Sequence, residues 1–187
     1  MVTPRWPVAV FDLDGTLVDT IHLIVESYQH TFRTHRGHTE DEARIRSWIG
    51  RPLIEAFREV DAHEAEAMYA TYLTWNRANT ERLIRRYDGV EDLLVALRSA
   101  GVRVAVVTSK RRDAALPALR LCALESYVDL LVTMENTTRH KPDPEPLRFA
   151  LSQLGIGADQ ACYVGDAAVD LLAAAAAGMA GIGVTWG

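Results

Sequence analysis

The chain has 187 residues, of which 49% are hydrophobic and 24% charged, and this globular composition excludes a disordered, collagenous or disulfide-stabilised scaffold. Its 25 acidic side chains outnumber 20 basic ones, giving a formal charge of −5, which disfavours nucleic acid or an anionic membrane as the main partner. The N-terminal residues lack a signal-type apolar run and no stretch reaches the ~18 to 20 apolar residues of a membrane-spanning helix, so we expect a cytoplasmic protein.

Five short apolar runs predict β-strands. The first, Val8–Phe11, is rich in β-branched residues and ends in the turn sequence Asp-Leu-Asp-Gly at 12–15. The other four strands are predicted at 102–107, 127–132, 161–164 and 181–185. Helical apolar patterns lie between the later strands, and such alternation predicts an α/β fold, a Rossmann-like doubly wound parallel sheet. Ligands of such sheets bind outside the carboxyl ends of the strands.

Residues 19–87 interrupt this alternation. They contain no strand-like run, and their apolar side chains recur with a helical period. We therefore predict an inserted α-helical cap after the first strand. The predicted division is a core of residues 1–15 and 88–187 and a cap of residues 16–87.

Polar residues follow directly after the predicted strands. Asp12 and Asp14 end the first strand, and Gly15 permits a sharp turn there. Thr108 follows the second strand and Asp166 the fourth. Alone, D-x-D-G is a common turn that merely ends a strand. The paired carboxylates therefore indicate a site only together with the other strand-end residues.

Only two of the 20 basic residues are lysines. A coding bias toward arginine explains the ratio but not the positions. Lys110 follows the second strand, and Lys141 precedes a helix whose start, Pro142-Asp143-Pro144, is typical of an N-cap. Both lysines therefore lie in segments that carry the other polar residues.

Four motifs occur in order along the chain. They are D-L-D-G-T-L at 12–17, V-V-T-S-K at 106–110, H-K-P-D-P at 140–144 and Y-V-G-D-A-A-V-D at 163–170. Together they resemble the haloacid dehalogenase superfamily of phosphatases, and within it the phosphoglycolate phosphatase and pyrophosphatase-like branch. The resemblance covers essentially the whole chain, since members insert a cap after the first strand.

The resemblance implies a Mg²⁺-dependent phosphatase that hydrolyses a small phosphorylated metabolite, such as phosphoglycolate, through an aspartyl-phosphate. Asp12 would attack phosphorus, and Asp14 would protonate the leaving group and then activate water. Mg²⁺ would bind Asp12, the backbone carbonyl of Asp14 and Asp166, and would reduce the repulsion between carboxylate and phosphate. Thr108 and Lys141 would hold the phosphoryl oxygens.

Further residues follow from the same resemblance. Asp170 would orient Lys141 or a metal-bound water. Ser109 and Lys110, in the second motif, would contact the substrate, although a solvated loop lysine is an equal alternative for Lys110. Arg51, in the cap loop W-I-G-R-P, would contact a carboxylate or a second phosphate, because a guanidinium fork matches these anions.

Three other functions share these core motifs. A sugar phosphomutase of the β-phosphoglucomutase type differs mainly in the cap, and an inorganic pyrophosphatase is a second alternative. A non-catalytic phosphate-binding regulator on the same fold is a third. The joint presence of Asp12, Asp14, Thr108, Lys141 and Asp166 argues against the regulator. The expected assembly is a monomer or a homodimer.

Two departures from the family pattern and two cysteines complete the sequence features. Ala167 stands where similar proteins carry Ser or Thr, so we expect a less firmly fixed loop. Similar chains continue a few dozen residues beyond the position of Gly187, so we expect one sheet face to be less covered or to meet another chain. Cys122 and Cys162 lie among apolar neighbours and are expected to be buried thiols.

Overall fold

A parallel sheet lies at the centre of the structure, a computed structural model that describes residues 4–187. The strands are Val8–Phe11 (β1), Val18–Asp19 (β2), Arg85–Arg86 (β3), Arg103–Val107 (β4), Leu130–Val132 (β5), Ala161–Gly165 (β6) and Ala180–Gly183 (β7). The helices are Ile21–Arg36 (α1), Glu42–Ser47 (α2), Leu53–Val60 (α3), Ala65–Leu83 (α4), Val90–Ser99 (α5), Arg112–Leu121 (α6), Glu145–Leu154 (α7) and Ala168–Ala177 (α8). None of these helices is both long and apolar enough to span a bilayer.

The main sheet has the order β5-β4-β1-β6-β7, and all of its strand pairs are parallel. Helices α5 and α6 cover one face and α7 and α8 cover the other. This arrangement confirms the predicted doubly wound α/β fold. Because β1 lies between β4 and β6, the carboxyl ends of these three strands meet at the middle of one sheet edge. Cys122 and Cys162 are buried and free, as expected.

The four later strands of the main sheet differ from their predicted bounds, β4 and β6 by one residue and the other two by more. The run at 127–132 forms a strand only over its last three residues, and Glu125–Tyr127 is a 3₁₀ turn instead. The reason is Asp129, whose carboxylate accepts a hydrogen bond from Val104 N at 2.8 Å and so takes the place of a strand carbonyl. The last strand runs from Ala180 to Gly183 rather than over 181–185.

The inserted segment forms a helical cap with its own core. Helix α1 packs along α4, and α3 packs against α4. Its fully buried side chains include Phe32, Ile45, Phe57 and Met68. They form a hydrophobic cluster separate from the two clusters that lie on the faces of the sheet. Helix α2 was not predicted; it begins after Asp41, whose carboxylate accepts a hydrogen bond from Arg44 N.

The expectation that residues 19–87 contain no strand was wrong. Strands β2 and β3 pair antiparallel, and Tyr87 N donates a hydrogen bond to Leu17 O. The segment that enters the cap and the segment that leaves it run side by side, and their pairing provides hydrogen-bond partners for their backbone N–H and C=O groups. The domain boundaries at residues 15/16 and 87/88 stay a prediction. We propose the two-stranded pair of β2 and β3 as the hinge between core and cap.

The two layers on the sheet lead to a stability prediction. Leu147 of α7 is fully buried against the sheet, whereas 57% of Leu172 on α8 is exposed. Leu147→Ala should lower the free energy of unfolding by about 2–5 kcal/mol, because it leaves a cavity in the core. Leu172→Ala should leave it nearly unchanged. Urea unfolding of both variants checks this, and equal losses would contradict the packing described here.

Candidate active site

A sharp turn after β1 brings Gly15 close to Asp166, which follows β6. Leu17 N and Val18 N both donate hydrogen bonds to Leu13 O, and Gly15 adopts a φ of +82°. A side chain at Gly15 would collide with the carboxylate of Asp166. Position 15 therefore requires glycine for two reasons: its backbone φ is positive, and the Asp166 carboxylate leaves no room for a side chain.

Asp14 is held by one residue from the core and one from the start of the cap. Thr20, which precedes α1, donates its hydroxyl proton to Asp14 Oδ1 at 2.7 Å. Lys110 Nζ lies 2.8 Å from Asp14 Oδ1 and 3.0 Å from Oδ2. Lys110 is therefore no solvated loop lysine, since its ammonium group forms an ion pair with Asp14.

Lys141 is buried at the centre of the site and donates three hydrogen bonds. Its Nζ lies 2.8 Å from Asp12 Oδ1, 2.6 Å from Asp170 Oδ1 and 3.0 Å from the Tyr163 hydroxyl. An ammonium group has three N–H donors, so all three are in use. Asp170 thus contacts Lys141 directly, and its role in orienting this group stays a prediction. Asp12 Oδ2 has no donor among the described residues, and Asp12 lines the cavity between core and cap.

Burial sets the ionisation of this cluster. It raises the pKa of Asp12 to about 8, although the Lys141 ammonium beside it favours the carboxylate form. Burial alone would lower the pKa of Lys141, but Asp12, Tyr163 and Asp170 together raise it well above its usual value. Lys141 is therefore the fixed positive charge, and the ionisation of Asp12 depends on the cations around it.

Asp170 also fixes the loop that carries Asp166. Its Oδ2 accepts a hydrogen bond from Ala167 N at 3.0 Å, at the start of α8. A Cβ on Gly165 would lie 2.5 Å from atoms of the Asp170 side chain, so only glycine permits this approach. The expectation of a less firmly fixed loop at Ala167 stays a prediction, because the Asp170 carboxylate holds the backbone of Ala167 and does not replace the contacts of a side-chain hydroxyl.

The end of β4 supplies two hydroxyl groups with different contacts. Thr108 Oγ1 accepts a hydrogen bond from Lys110 N at 3.1 Å, and none of the described residues accepts its hydroxyl proton. Ser109 instead donates its proton to Gly50 O of the cap at 2.8 Å. Thr108 can therefore donate to a bound anion, whereas the Ser109 hydroxyl connects the core to the cap.

A cavity of about 100 Å³ lies between the core and the cap. Its core side includes Asp12, Asp14, Thr108, Ser109 and Lys110. Its cap side is mostly apolar or aromatic and includes Ile24, Tyr28, Leu53, Tyr69, Leu73 and Arg51. The polar strand ends therefore face a largely apolar cap wall with one guanidinium group.

The cap contacts the core around this cavity. Besides the Ser109 contact, Arg77 of α4 forms an ion pair with Asp113 of α6. The cap loop approaches the start of α8 so closely that a Cβ on Gly50 would lie 3.1 Å from Val169. Arg51 does line the cavity, but its guanidinium group is paired with Glu59 of the cap, so a substrate anion would share it with this carboxylate.

The donor set at the carboxyl ends fits a hard divalent cation. Oxygens of Asp12, Asp166 and Asp170 lie within 4.8 Å of one another. Asp170 is already engaged by Lys141 and the α8 start, so Asp12 and Asp166 are the side chains left to bind a metal. Oxygen ligands suit Mg²⁺. The site holds four carboxyl groups, those of Asp12, Asp14, Asp166 and Asp170, but only two ammonium groups, those of Lys110 and Lys141. A bound divalent cation would balance two further negative charges when all four carboxyl groups are ionised.

Three residues of the site were not identified from the sequence. Tyr163 contacts Lys141, Thr20 contacts Asp14, and Thr16 donates a hydrogen bond to Asp166 Oδ1 at 2.8 Å. Tyr163 and Thr16 lie inside two of the four motifs, and this position could have indicated that they belong to the site. Thr20 lies outside all four motifs.

Comparisons with known proteins agree with this arrangement. A family model described as haloacid dehalogenase-like hydrolase matches residues 9–184. The chain is 36% identical over 186 residues to pyrophosphatase PpaX of Bacillus velezensis, covering 100% of this chain and 86% of that protein. A predicted phosphatase from Clostridium acetobutylicum has a crystal structure with a TM-score of 0.87 and 28% identity, covering 98% and 87% of the two chains. A predicted phosphoglycolate phosphatase from Haemophilus somnus 129PT shares the fold, with a TM-score of 0.88 and 24% identity over 100% and 88%.

The buried cluster predicts a large stability effect at Asp170. Asp170→Ala should lower the free energy of unfolding by about 3–5 kcal/mol, because it removes a partner from a buried ammonium group. Glu125→Gln breaks the exposed Arg120–Glu125 pair and should leave the urea midpoint unchanged. Similar urea midpoints for Asp170→Ala and the unmodified chain would contradict a buried ion-pair cluster.

Proposed function

The chain belongs to the haloacid dehalogenase-like hydrolase family and is a phosphatase of that family, and we propose that it hydrolyses a small phosphorylated metabolite through an aspartyl-phosphate intermediate with Mg²⁺ as its cation. The observation that carries this proposal is the pairing of Asp12 with the buried Lys141 at the floor of a capped cavity. A phosphate-binding regulator would not require a carboxylate with one oxygen held by an ammonium group and the other left open to the cavity.

The first chemical step uses Asp12 as the nucleophile. Asp12 Oδ2 forms a bond to phosphorus while Lys141 holds Oδ1, and the bond between phosphorus and the leaving oxygen breaks. The leaving oxygen takes a proton from Asp14, which enters this step as the carboxylic acid and leaves it as the carboxylate that Lys110 holds. In the second step a water molecule attacks the same phosphorus, Asp14 accepts the proton from that water, and the bond to Asp12 breaks to release phosphate.

The neighbouring groups hold these reactants in place. The Thr108 hydroxyl donates a hydrogen bond to a phosphoryl oxygen, and the charge of Lys141 lies beside the developing negative charge. Lys110 keeps Asp14 in position and lines the same cavity, so its ammonium group also faces the leaving group. Mg²⁺, held by Asp12 and Asp166, would neutralise charge on the phosphoryl group when bound.

The contacts between the cap and the core leave a small cavity, which favours a small-molecule substrate. A cavity of about 100 Å³ suits phosphoglycolate or a molecule of similar size rather than a phosphoprotein. Pyrophosphate is a second candidate, because the relative at 36% identity over the whole chain is named a pyrophosphatase. In both cases Arg51 would contact the anionic group that is not attacked.

Activity measured with and without metal tests this proposal. Phosphate release from p-nitrophenyl phosphate and from a panel of small phosphate esters should stop with EDTA and return with Mg²⁺. Asp12→Asn should reduce turnover by about 10³-fold or more at an unchanged fold, because an amide cannot form the phosphoenzyme. Turnover that survives EDTA, or that survives Asp12→Asn, would contradict the proposal. Conversion of glucose 1-phosphate to glucose 6-phosphate without phosphate release would indicate a phosphomutase instead.

The substrate's second anion is tested at Arg51. Arg51→Ala should raise KM for phosphoglycolate and pyrophosphate by about 10-fold or more, as expected for a hydrogen bond to a charged group. The KM for p-nitrophenyl phosphate should change little, because its leaving group carries no second anion. Arg58→Ala is the matched control, since Arg58 lies on the exposed surface of α3 and pairs with Glu66. A similar KM change for both substrate types would mean that Arg51 only stabilises the cap.

A further inference from the structure

The Tyr163 hydroxyl of β6 is a buried junction between β4, the loop that carries Lys141, and α8. Tyr163 is 0% exposed and lies on β6, among the apolar side chains that face α7 and α8. Its hydroxyl oxygen lies 3.0 Å from Lys141 Nζ, 3.0 Å from Val107 O and 3.3 Å from Asp170 Oδ1. A hydroxyl in such an apolar layer costs free energy unless it is hydrogen-bonded.

The protons of this junction can be assigned. A phenol has one proton to donate and accepts through its oxygen. Lys141 has only donors, so the Tyr163 oxygen accepts from Nζ. The phenolic proton goes to Val107 O, which is nearer than Asp170 Oδ1, an oxygen that already accepts from Lys141 at 2.6 Å. The hydroxyl is thus tied to the last residue of β4, next to Thr108.

We propose that Tyr163 is a positioning residue for phosphoryl transfer, which sets the place of the Lys141 ammonium group beside Asp12. Asp12 and Asp170 fix two of the three N–H directions of Nζ, and the Tyr163 hydroxyl fixes the third. This hydroxyl also connects the ammonium group to the last residue of β4, which Thr108 follows, so the position of the Lys141 charge is coupled to that of the Thr108 hydroxyl. The proposal rests on the phosphatase function proposed above.

A kinetic comparison of two tyrosines tests this role. Tyr163→Phe keeps the ring and removes only the hydroxyl, so kcat should fall about 10-fold while KM stays within about 2-fold, because Lys141 acts mainly in the transition state. Tyr127→Phe is the control, since the Tyr127 hydroxyl contacts only Glu91, on the other side of the sheet. Its kcat should be unchanged. A Tyr163→Phe enzyme with the kcat of Tyr127→Phe would overturn the proposal.

A second measurement needs no turnover. Because the chain contains only two lysines, ¹⁵N-labelled lysine gives two side-chain ammonium signals, which Lys110→Arg assigns. Tyr163→Phe should shift the Lys141 signal and speed its proton exchange, and should leave the Lys110 signal in place. An unchanged Lys141 signal would overturn the proposal. So would a Lys141 ammonium group that exchanges as fast as Lys110 in the unmodified chain, a result that does not depend on folding of the variant.

The two measurements also separate this proposal from the function on which it rests. If the unmodified chain releases no phosphate from any ester, the proposed function fails. A Lys141 signal that still responds to Tyr163→Phe would then support the positioning contact by itself. If the chain is active but neither kcat nor the signal responds, the proposed function stands and the role of Tyr163 is overturned.

Discussion

The buried ammonium group of Lys141 is the interaction on which the site depends. It lies against Asp12 and Asp170, so a carboxyl group that follows β1 and a carboxyl group of α8 are held by one charge. Removing charges from water is costly, and the cost is offset only when each partner is fully hydrogen-bonded. Lys141 and Asp170 meet this condition, since Asp170 also accepts from the α8 start and Lys141 uses all three donors, whereas Asp12 keeps one oxygen without a donor among the described residues. The same contacts that stabilise the cluster therefore define its geometry.

The fold explains why these groups meet at one place. β1 is the middle strand of the sheet, and the turns after β1, β4 and β6 leave it at the same edge. Close approaches at Gly15 and Gly165 allow carboxylates to lie against backbone where any side chain would collide. The cap enters through the paired strands β2 and β3, and its loop reaches the core at Gly50. Core geometry thus fixes the chemistry, and the cap forms the remaining wall of the cavity.

The sequence predicted the parts of this arrangement that depend on local pattern. Runs such as Val8–Phe11 have a strand composition, and the four motifs indicated Asp12, Asp14, Thr108 and Asp166 after strands and Lys141 before a helix. Contacts between distant segments were beyond such reasoning. The pairing of Lys110 with Asp14 depends on β4 lying beside β1, and the pairing of β2 with β3 depends on how the cap returns to the core; no short segment encodes either. Tyr163 was missed for a related reason, since an aromatic residue in a buried strand usually indicates only core packing.

The scarcity of lysine has a consequence for the chemical reactivity of the surface. Both lysine side chains lie in the site, 1% and 14% exposed, while every other basic side chain that pairs on the outside is a guanidinium or an imidazole. Acylating reagents and amine-directed cross-linkers attack unprotonated amines, and arginine stays protonated and unreactive toward them. Among the side chains of residues 4–187, Lys110 is therefore the amine that such a reagent can reach, and it lines the cavity between core and cap, whereas Lys141 is buried and held protonated. Loss of Lys110 modification on adding a ligand would then report occupancy of that cavity.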